Sequence, residues 1–157
     1  MAANWIKKGY KAFVFSSKFV APFLLLVLRL YFGWLLVVTG FGKWMNIHAV
    51  GEFFASLSLP YPLLSAYMVA TFEVLGGLAL VLGLFSRFFG LILSCVFIVA
   101  YLTAHKEAVA ALGTSPSLFV QQEPFLYLLT ALLVYSFGPG LFSIDYWLEK
   151  KHFGKAF

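Results

Sequence analysis

The chain has 157 residues, of which 62% are hydrophobic and 11% are charged, and its mean hydropathy is +0.94. This composition excludes a soluble globular protein and predicts one all-α integral membrane domain, because four spans of about 20 residues with short loops use nearly the whole chain. The net charge of +5 does not indicate nucleic-acid binding. Its lysines lie in the two tails beside apolar segments, where membrane lipid is the expected partner.

Residues 1–18 form the first predicted segment, in which four lysines alternate with aromatic residues. Lysine and aromatic side chains together are typical of the membrane surface, so we interpret this segment as a basic interfacial arm. The alternative is the charged region of a signal peptide. The apolar run that follows is too long for that class, contains Arg29 and offers no small-residue cleavage site.

The first span is predicted near residues 19–41. Of the 24 residues between Lys18 and Lys43, only Arg29 is charged. A guanidinium near the bilayer centre costs about 2.5–3.5 kcal/mol on insertion scales, so we expect Arg29 to face protein or water. Small or charged residues follow it at helical spacing and predict the inward face of the helix. With Arg29 itself, this stripe consists of Gly33, Leu36, Gly40 and Lys43.

The second and third spans follow a short interfacial segment. Residues 42–62 predict a loop with an amphipathic helix near residues 50–57, and the second span, residues 65–85, is interrupted only by Glu73. Small residues on the face of Glu73 predict close helix packing. A tight turn at Ser86 and Arg87 leads to the third span, residues 88–104, whose polar stripe includes Tyr101 and ends at His105.

The fourth span is predicted at residues 125–137, after a polar loop of residues 105–123. Glu123 and Pro124 open it, Tyr127 lies on its polar stripe, and the sequence Gly-Pro-Gly at 138–140 ends it. The membrane domain is therefore predicted to cover residues 19–142. Ser143 then caps a basic amphipathic tail, residues 143–157.

Lysine and arginine are divided unequally between the two sides of this predicted bundle. Eight lie in the N-terminal arm, at Arg87 and in the C-terminal tail, whereas the opposite loops hold only Lys43 and Lys106. Both termini are therefore predicted to be cytoplasmic. On the same side we expect a structural salt bridge between Arg87 and Asp145.

The charged and phenolic residues of the spans converge on the outer half of the predicted bundle. At 1.5 Å per residue, Glu73 and Arg29 lie roughly 12 and 18 Å below the outer ends of their helices, a difference that an arginine side chain can cover. We therefore expect an Arg29–Glu73 ion pair. Lys43, Tyr101, His105, Glu123 and Tyr127 fall in the same half.

Two interpretations of this cluster remain open. In one, a single ion pair fixes helix register and the other groups merely meet water. In the other, the cluster is a ligand pocket, because intramembrane charges are usually functional. A metal site is not predicted, since the three histidines lack a ligand spacing. The single cysteine, Cys95, excludes a disulfide within one chain.

Three stretches of the chain, in this order, resemble the DoxX family. They run from Leu28 and Arg29 to Lys43, from Glu73 to Arg87, and from Gly138 to Asp145, so that the resemblance covers about residues 25–146. It implies a small four-helix protein of the bacterial cytoplasmic membrane. The family includes DoxD-like subunits of thiosulfate:quinone oxidoreductase, which implies a membrane redox subunit with a redox partner protein.

We therefore predict a pocket that binds a quinone and serves a redox partner, with no metal or covalent cofactor. Arg29 or Lys43 would stabilise charge developing on a quinone oxygen, and Glu73 or His105 would relay the proton as catalytic groups. Tyr101, Glu123 and Tyr127 would complete the binding site. A non-enzymatic scaffold or small-solute carrier is the alternative, and the sequence leaves open whether the bundle forms a homo-oligomer.

Overall fold

The structure is a computed structural model that describes the backbone of residues 2–153 and the side chains of residues 20–151. Every regular element in the described part is helical, which confirms the all-α prediction. The helices are α1 (Ala2–Met45), α2 (Ile47–Ser56), α3 (Pro62–Leu82), α4 (Ser86–Thr103), α5 (Lys106–Ala110), α6 (Pro116–Val120), α7 (Pro124–Phe137) and α8 (Ile144–Phe153), with a 3₁₀ turn at Ala111–Gly113.

Helices α1, α3, α4 and α7 form the bundle. Helix α1 packs on α3 and α7, α3 packs on α4, and α4 packs on α7, so the four helices close a ring. Val20–Met45, Pro62–Leu82 and Ser86–Thr103 are long and apolar enough to span a membrane. Helix α7 has 14 residues and is therefore about 21 Å long, shorter than a hydrocarbon core of about 30 Å. The crossing of the membrane by α7 stays a prediction.

The stripe of small and charged residues on α1 is the face that packs on α3. Gly33 lies level with Gly77, where an added Cβ would be 2.6 Å from the Gly33 carbonyl oxygen, and Gly40 lies level with Glu73. Arg29 and Leu36 are buried on the same face. Glycines thus bring the two backbones into contact, and the predicted inward face is confirmed.

One continuous helix contains both the predicted N-terminal arm and the first span, because α1 begins at Ala2 and includes Pro22 without a break. The side chains of residues 1–19 lie outside the described part, so their place at the interface stays a prediction. At the other terminus, α8 reaches Phe153, and the rest of the predicted tail also lies outside it.

The turn between α3 and α4 is held by Asp145. Its carboxylate accepts hydrogen bonds from the backbone N–H groups of Phe85 at 2.8 Å and Ser86 at 2.9 Å, and its own N–H donates to the Gly83 carbonyl at 2.9 Å. The expected Arg87–Asp145 salt bridge is wrong, because no ion pair within 4 Å joins these two described residues. The unpaired N–H groups at the start of α4 attract the carboxylate instead.

Asp145→Ala should therefore lower the free energy of unfolding by about 1–2 kcal/mol, the usual cost of losing a helix cap. Asp145→Asn should cost less, since one carbonyl oxygen remains to accept. Thermal unfolding of the purified protein in detergent checks this prediction. Glu52→Gln, at an exposed position of α2, is the control. If Asp145→Ala unfolds like the control, this contact does not hold the turn.

The predicted topology can be tested at Gly113, an exposed loop residue where a new side chain meets nothing within 4 Å. With Cys95 replaced by alanine, Gly113→Cys should react with an impermeant thiol reagent in intact cells. A cysteine at position 3 should react only after the cells are opened, because the lysine distribution places both termini in the cytoplasm. The reverse pattern would overturn the predicted orientation.

Candidate functional site

The largest group of predicted site residues lies around a cavity of about 660 Å³ between α3 and α4. It is at the end of the bundle that contains Lys43, which we call the Lys43 end; the opposite end, with the α3–α4 turn, is the Gly83 end. Helix α2 and the loop after it contribute Phe53, Phe54, Leu57 and Leu59. The cavity is therefore partly covered by the short helix that was predicted between spans 1 and 2.

The two walls of the cavity are in close contact near the Gly83 end and are lined by larger side chains toward the Lys43 end. Close to the Gly83 end, Gly76 of α3 fits against Leu93, and a Cβ there would be 2.9 Å from the leucine side chain. Farther along, the side chains that line the two walls include Met68 and Phe72 of α3 and Val96 and Val99 of α4. Met68 and Val99 line the cavity and are each 49% exposed, so it opens sideways on the apolar surface of the bundle.

Lys43 and Glu73 form an ion pair in this cavity. The Lys43 Nζ donates to both carboxylate oxygens of Glu73. The Glu73 side chain is only 4% exposed and that of Lys43 is 32% exposed, so the carboxylate is buried and the ammonium is reached from the cavity. Within the described residues this is the one ion pair closer than 4 Å.

The expected Arg29–Glu73 pair is wrong. Side chains lean toward the N-terminus of their own helix. Arg29 therefore leans toward the Gly83 end, while Glu73, on the antiparallel α3, leans toward the Lys43 end. Lys43 lies three residues beyond Gly40, which is level with Glu73, and it leans back toward the carboxylate. The lean of the side chains thus separates one pair and brings the other together.

Arg29 is fully buried at the Gly83 end, where carbonyl groups surround its guanidinium. Its Nε donates to the Leu80 carbonyl at 2.9 Å, Nη1 to the Pro139 carbonyl, and Nη2 to the Phe142 carbonyl at 3.1 Å. Arg29 therefore fastens the segment after α7 to the bundle and is not part of the cavity.

Of the other predicted site residues, His105, Glu123 and Tyr127 line the cavity. The Tyr127 ring stacks on Phe97 at 5.4 Å between centroids and meets Phe32 edge-on at 5.6 Å. Half-buried His105 and exposed Glu123 lie at the loop side, before α5 and α7. The structure thus brings Lys43, Glu73, His105, Glu123 and Tyr127 to one cavity.

Tyr101 has a different position. Its hydroxyl donates to the Phe119 carbonyl at 2.8 Å, and its ring stacks on Phe119 at 4.2 Å. It therefore holds the α5–α6 loop against α4 and does not line the cavity. The His105 ring lies 5.8 Å from the Tyr101 ring, so Tyr101 contributes to the position of His105.

Sequence reasoning missed the apolar part of the lining. Met68 and Phe72 of α3 and Cys95 and Val96 of α4 border the cavity, and nothing in their spacing distinguishes them from lipid-facing residues. Only the amphipathic pattern of α2 gave a signal. Within residues 20–151, no three His, Cys, Asp or Glu side chains are grouped to hold a metal ion.

Comparison with known proteins identifies the family. A sequence model of the DoxX family matches residues 24–106, which is more than half of the chain. The chain belongs to the DoxX family. The matched region includes Lys43, Glu73 and His105, whereas Glu123 and Tyr127 follow it. The cavity of this DoxX-family protein is thus built partly from the shared region and partly from α7.

Two relatives show how far the likeness extends. The Bacillus subtilis (strain 168) protein named Putative oxidoreductase CatD is 28% identical over 120 residues, which are 76% of this chain and 83% of that protein. The Escherichia coli (strain K12) protein named Inner membrane protein YphA is 35% identical over 66 residues, 42% of this chain and 47% of its own. No solved structure matches the chain.

Proposed function

We propose that this DoxX-family protein is a membrane redox subunit that binds a quinone, or a similar lipid-soluble ring compound, in the α3–α4 cavity and serves a partner oxidoreductase. The observation that carries the proposal is the cavity itself. It joins a sideways opening on the apolar surface to a buried, charged inner end. The name of the Bacillus relative, an oxidoreductase, and that of the Escherichia relative, an inner membrane protein, agree with this proposal and with a bacterial cytoplasmic membrane.

The lining fits an amphiphilic ring compound. Ligand sites of this kind measure about 300–1,000 Å³ and combine apolar walls with a few convergent polar groups. Here the walls are formed by residues such as Phe72 and Phe97, and the polar groups are Lys43, Glu73 and Tyr127. A long apolar tail would leave between Met68 and Val99, where the cavity meets the apolar surface.

The residues of the cavity would act by position and charge. A bound quinone supplies the electron-accepting chemistry. The Lys43 ammonium would donate a hydrogen bond to a ligand oxygen and stabilise negative charge there. The Glu73 carboxyl group, already hydrogen-bonded to Lys43, would relay a proton to that ligand oxygen. His105 and Glu123, on the loop side, would bring protons from water to Glu73, because a quinone takes up protons when it is reduced.

The test is quinone binding by the purified protein. Lys43→Met, Glu73→Gln and His105→Ala should each weaken binding, by about tenfold where a charge-assisted hydrogen bond is lost. Glu107→Gln is the matched control, because Glu107 is an exposed loop carboxylate outside the lining. Binding is measured by titration at a temperature at which each variant is folded and elutes like the wild type. If the wild type binds no quinone, or if all three variants bind as it does, the proposal fails.

The competing proposal is a non-enzymatic scaffold or small-solute carrier. It is favoured by the Lys43–Glu73 pair, which is complete without a ligand and braces α1 against α3. The two functions differ in what the purified protein retains. A redox subunit should retain quinone that a reductant supplied with its partner can reduce, whereas a scaffold should retain none.

A further inference from the structure

We propose that a second cavity, at the Gly83 end, binds a phospholipid whose headgroup carries a primary ammonium, as in phosphatidylethanolamine. This cavity measures about 420 Å³ and lies between α1, α7 and α8. It shares no lining residue with the α3–α4 cavity. The inference is therefore independent of the proposed redox function.

The lining of this cavity is divided into an apolar part and a polar part. Helix α1 contributes Ala21, Leu24, Leu25 and Leu28, and α7 contributes Leu133 and Phe137. The polar groups come from the first turn of α4 and from α8, and they are Arg87, Tyr146 and Glu149. A molecule that fills such a cavity has an apolar portion along α1 and α7 and a polar portion beside α8.

The polar part lies where a membrane surface is expected. Asp145 ties the start of α8 to the turn that precedes Arg87, so both elements stand at one level of the bundle. On α8, Trp147 is 71% exposed and Lys150 and Lys151 are exposed. Exposed tryptophan and lysine on a short helix beside apolar spans are typical of the lipid headgroup region.

The charges at the polar end select the headgroup. Arg87 and Glu149 both line the cavity, and no ion pair within 4 Å joins them to each other or to any other described residue. An arginine fork is suited to a phosphate, and a carboxylate accepts hydrogen bonds from an ammonium. The phosphate and ammonium of an ethanolamine headgroup match this cation and anion. A purely anionic headgroup would place its second polar group beside Glu149 without a charge partner.

The experiment compares lipids with identical acyl chains. Dioleoyl phosphatidylethanolamine, phosphatidylcholine and phosphatidylglycerol are added to the delipidated full chain in detergent, and the bound fraction is measured by native mass spectrometry. We expect the ethanolamine lipid to bind more tightly than the choline lipid by about fivefold, the net value of one hydrogen bond, because both headgroups carry the positive charge and only the ethanolamine ammonium donates. The quaternary ammonium of choline cannot donate a hydrogen bond to Glu149.

The variants separate the two charges. Glu149→Gln should weaken ethanolamine-lipid binding more than choline-lipid binding and so remove most of the preference, whereas Arg87→Gln should weaken both lipids equally and keep the preference. Lys151→Gln, exposed on α8 outside the lining, is the matched control and should keep the preference. Equal binding of ethanolamine and choline lipids by the wild type overturns the proposal. So do a stronger binding of phosphatidylglycerol, which would indicate a merely basic surface, and an unchanged preference in Glu149→Gln.

Discussion

Arg29→Leu is expected to lower the free energy of unfolding by about 3 kcal/mol or more, because it removes the donor of three buried or part-buried hydrogen bonds to carbonyls. These belong to Leu80, Pro139 and Phe142, so the loss should also release the segment between α7 and α8. Thermal unfolding in detergent measures the first effect. Limited proteolysis near residues 138–143 measures the second.

Two further variants make this prediction specific. Arg29→Lys keeps the charge but cannot donate in three directions from a planar group, so its stability should lie between those of wild type and Arg29→Leu. Combined with Glu73→Gln, Arg29→Leu should show additive losses, since the two side chains belong to opposite ends of the bundle. Wild-type stability of Arg29→Leu, or strong coupling to Glu73, would contradict the assignment of Arg29 to the carbonyl cluster.

The position of Arg29 shows what sequence reasoning can and cannot reach. Its burial and its place on the packing face followed from the cost of a charge in a span and from the spacing of Gly33 and Gly40. Its hydrogen-bond partners could not be predicted, because two of them are backbone carbonyls more than 100 residues later in the chain. Every residue has such a carbonyl, so the sequence does not show which one accepts. The N-terminal lean of side chains was the one available signal against pairing Arg29 with Glu73.

The candidate site also has features that the sequence predicted and features that it did not. The sequence predicted that Lys43, Glu73, His105, Glu123 and Tyr127 converge at one end, because depth along a helix follows from residue number. It did not predict the sideways opening, which lies at Met68 and Val99, beyond the close contact of Gly76 with Leu93. It also placed Tyr101 in the cavity, whereas the tyrosine hydroxyl donates to the Phe119 carbonyl of α6.

Asp145 is an instructive case at the Gly83 end. Two opposite charges near one turn suggested an ion pair between Asp145 and Arg87. The backbone N–H groups at the start of α4 bind the carboxylate instead, because they have no partner within the helix and lie at the positive end of its dipole. The aspartate therefore caps the helix. Arg87 remains beside Gly138 on the rim of the second cavity, where a ligand phosphate can reach it.

Lys43→Met is expected to have the second large effect, lowering the free energy of unfolding by about 3–5 kcal/mol. The reason is that it leaves the buried Glu73 carboxylate without its cation, and breaking a buried pair from one side is costly. The double variant Lys43→Met, Glu73→Gln should regain most of this loss, because the remaining groups are neutral. The coupling between the two positions should then be on the order of 2 kcal/mol in a double-mutant cycle.

The same cycle separates structure from function when quinone binding is measured on each variant beside its stability. If the charges only brace α1 against α3, the double variant should recover both stability and whatever binding the wild type shows. If they serve a ligand, stability should return while binding stays weak, because the neutral pair cannot stabilise charge on a ligand oxygen. Recovery of binding in the double variant would therefore favour the scaffold, and loss of coupling would mean that the pair itself is not formed.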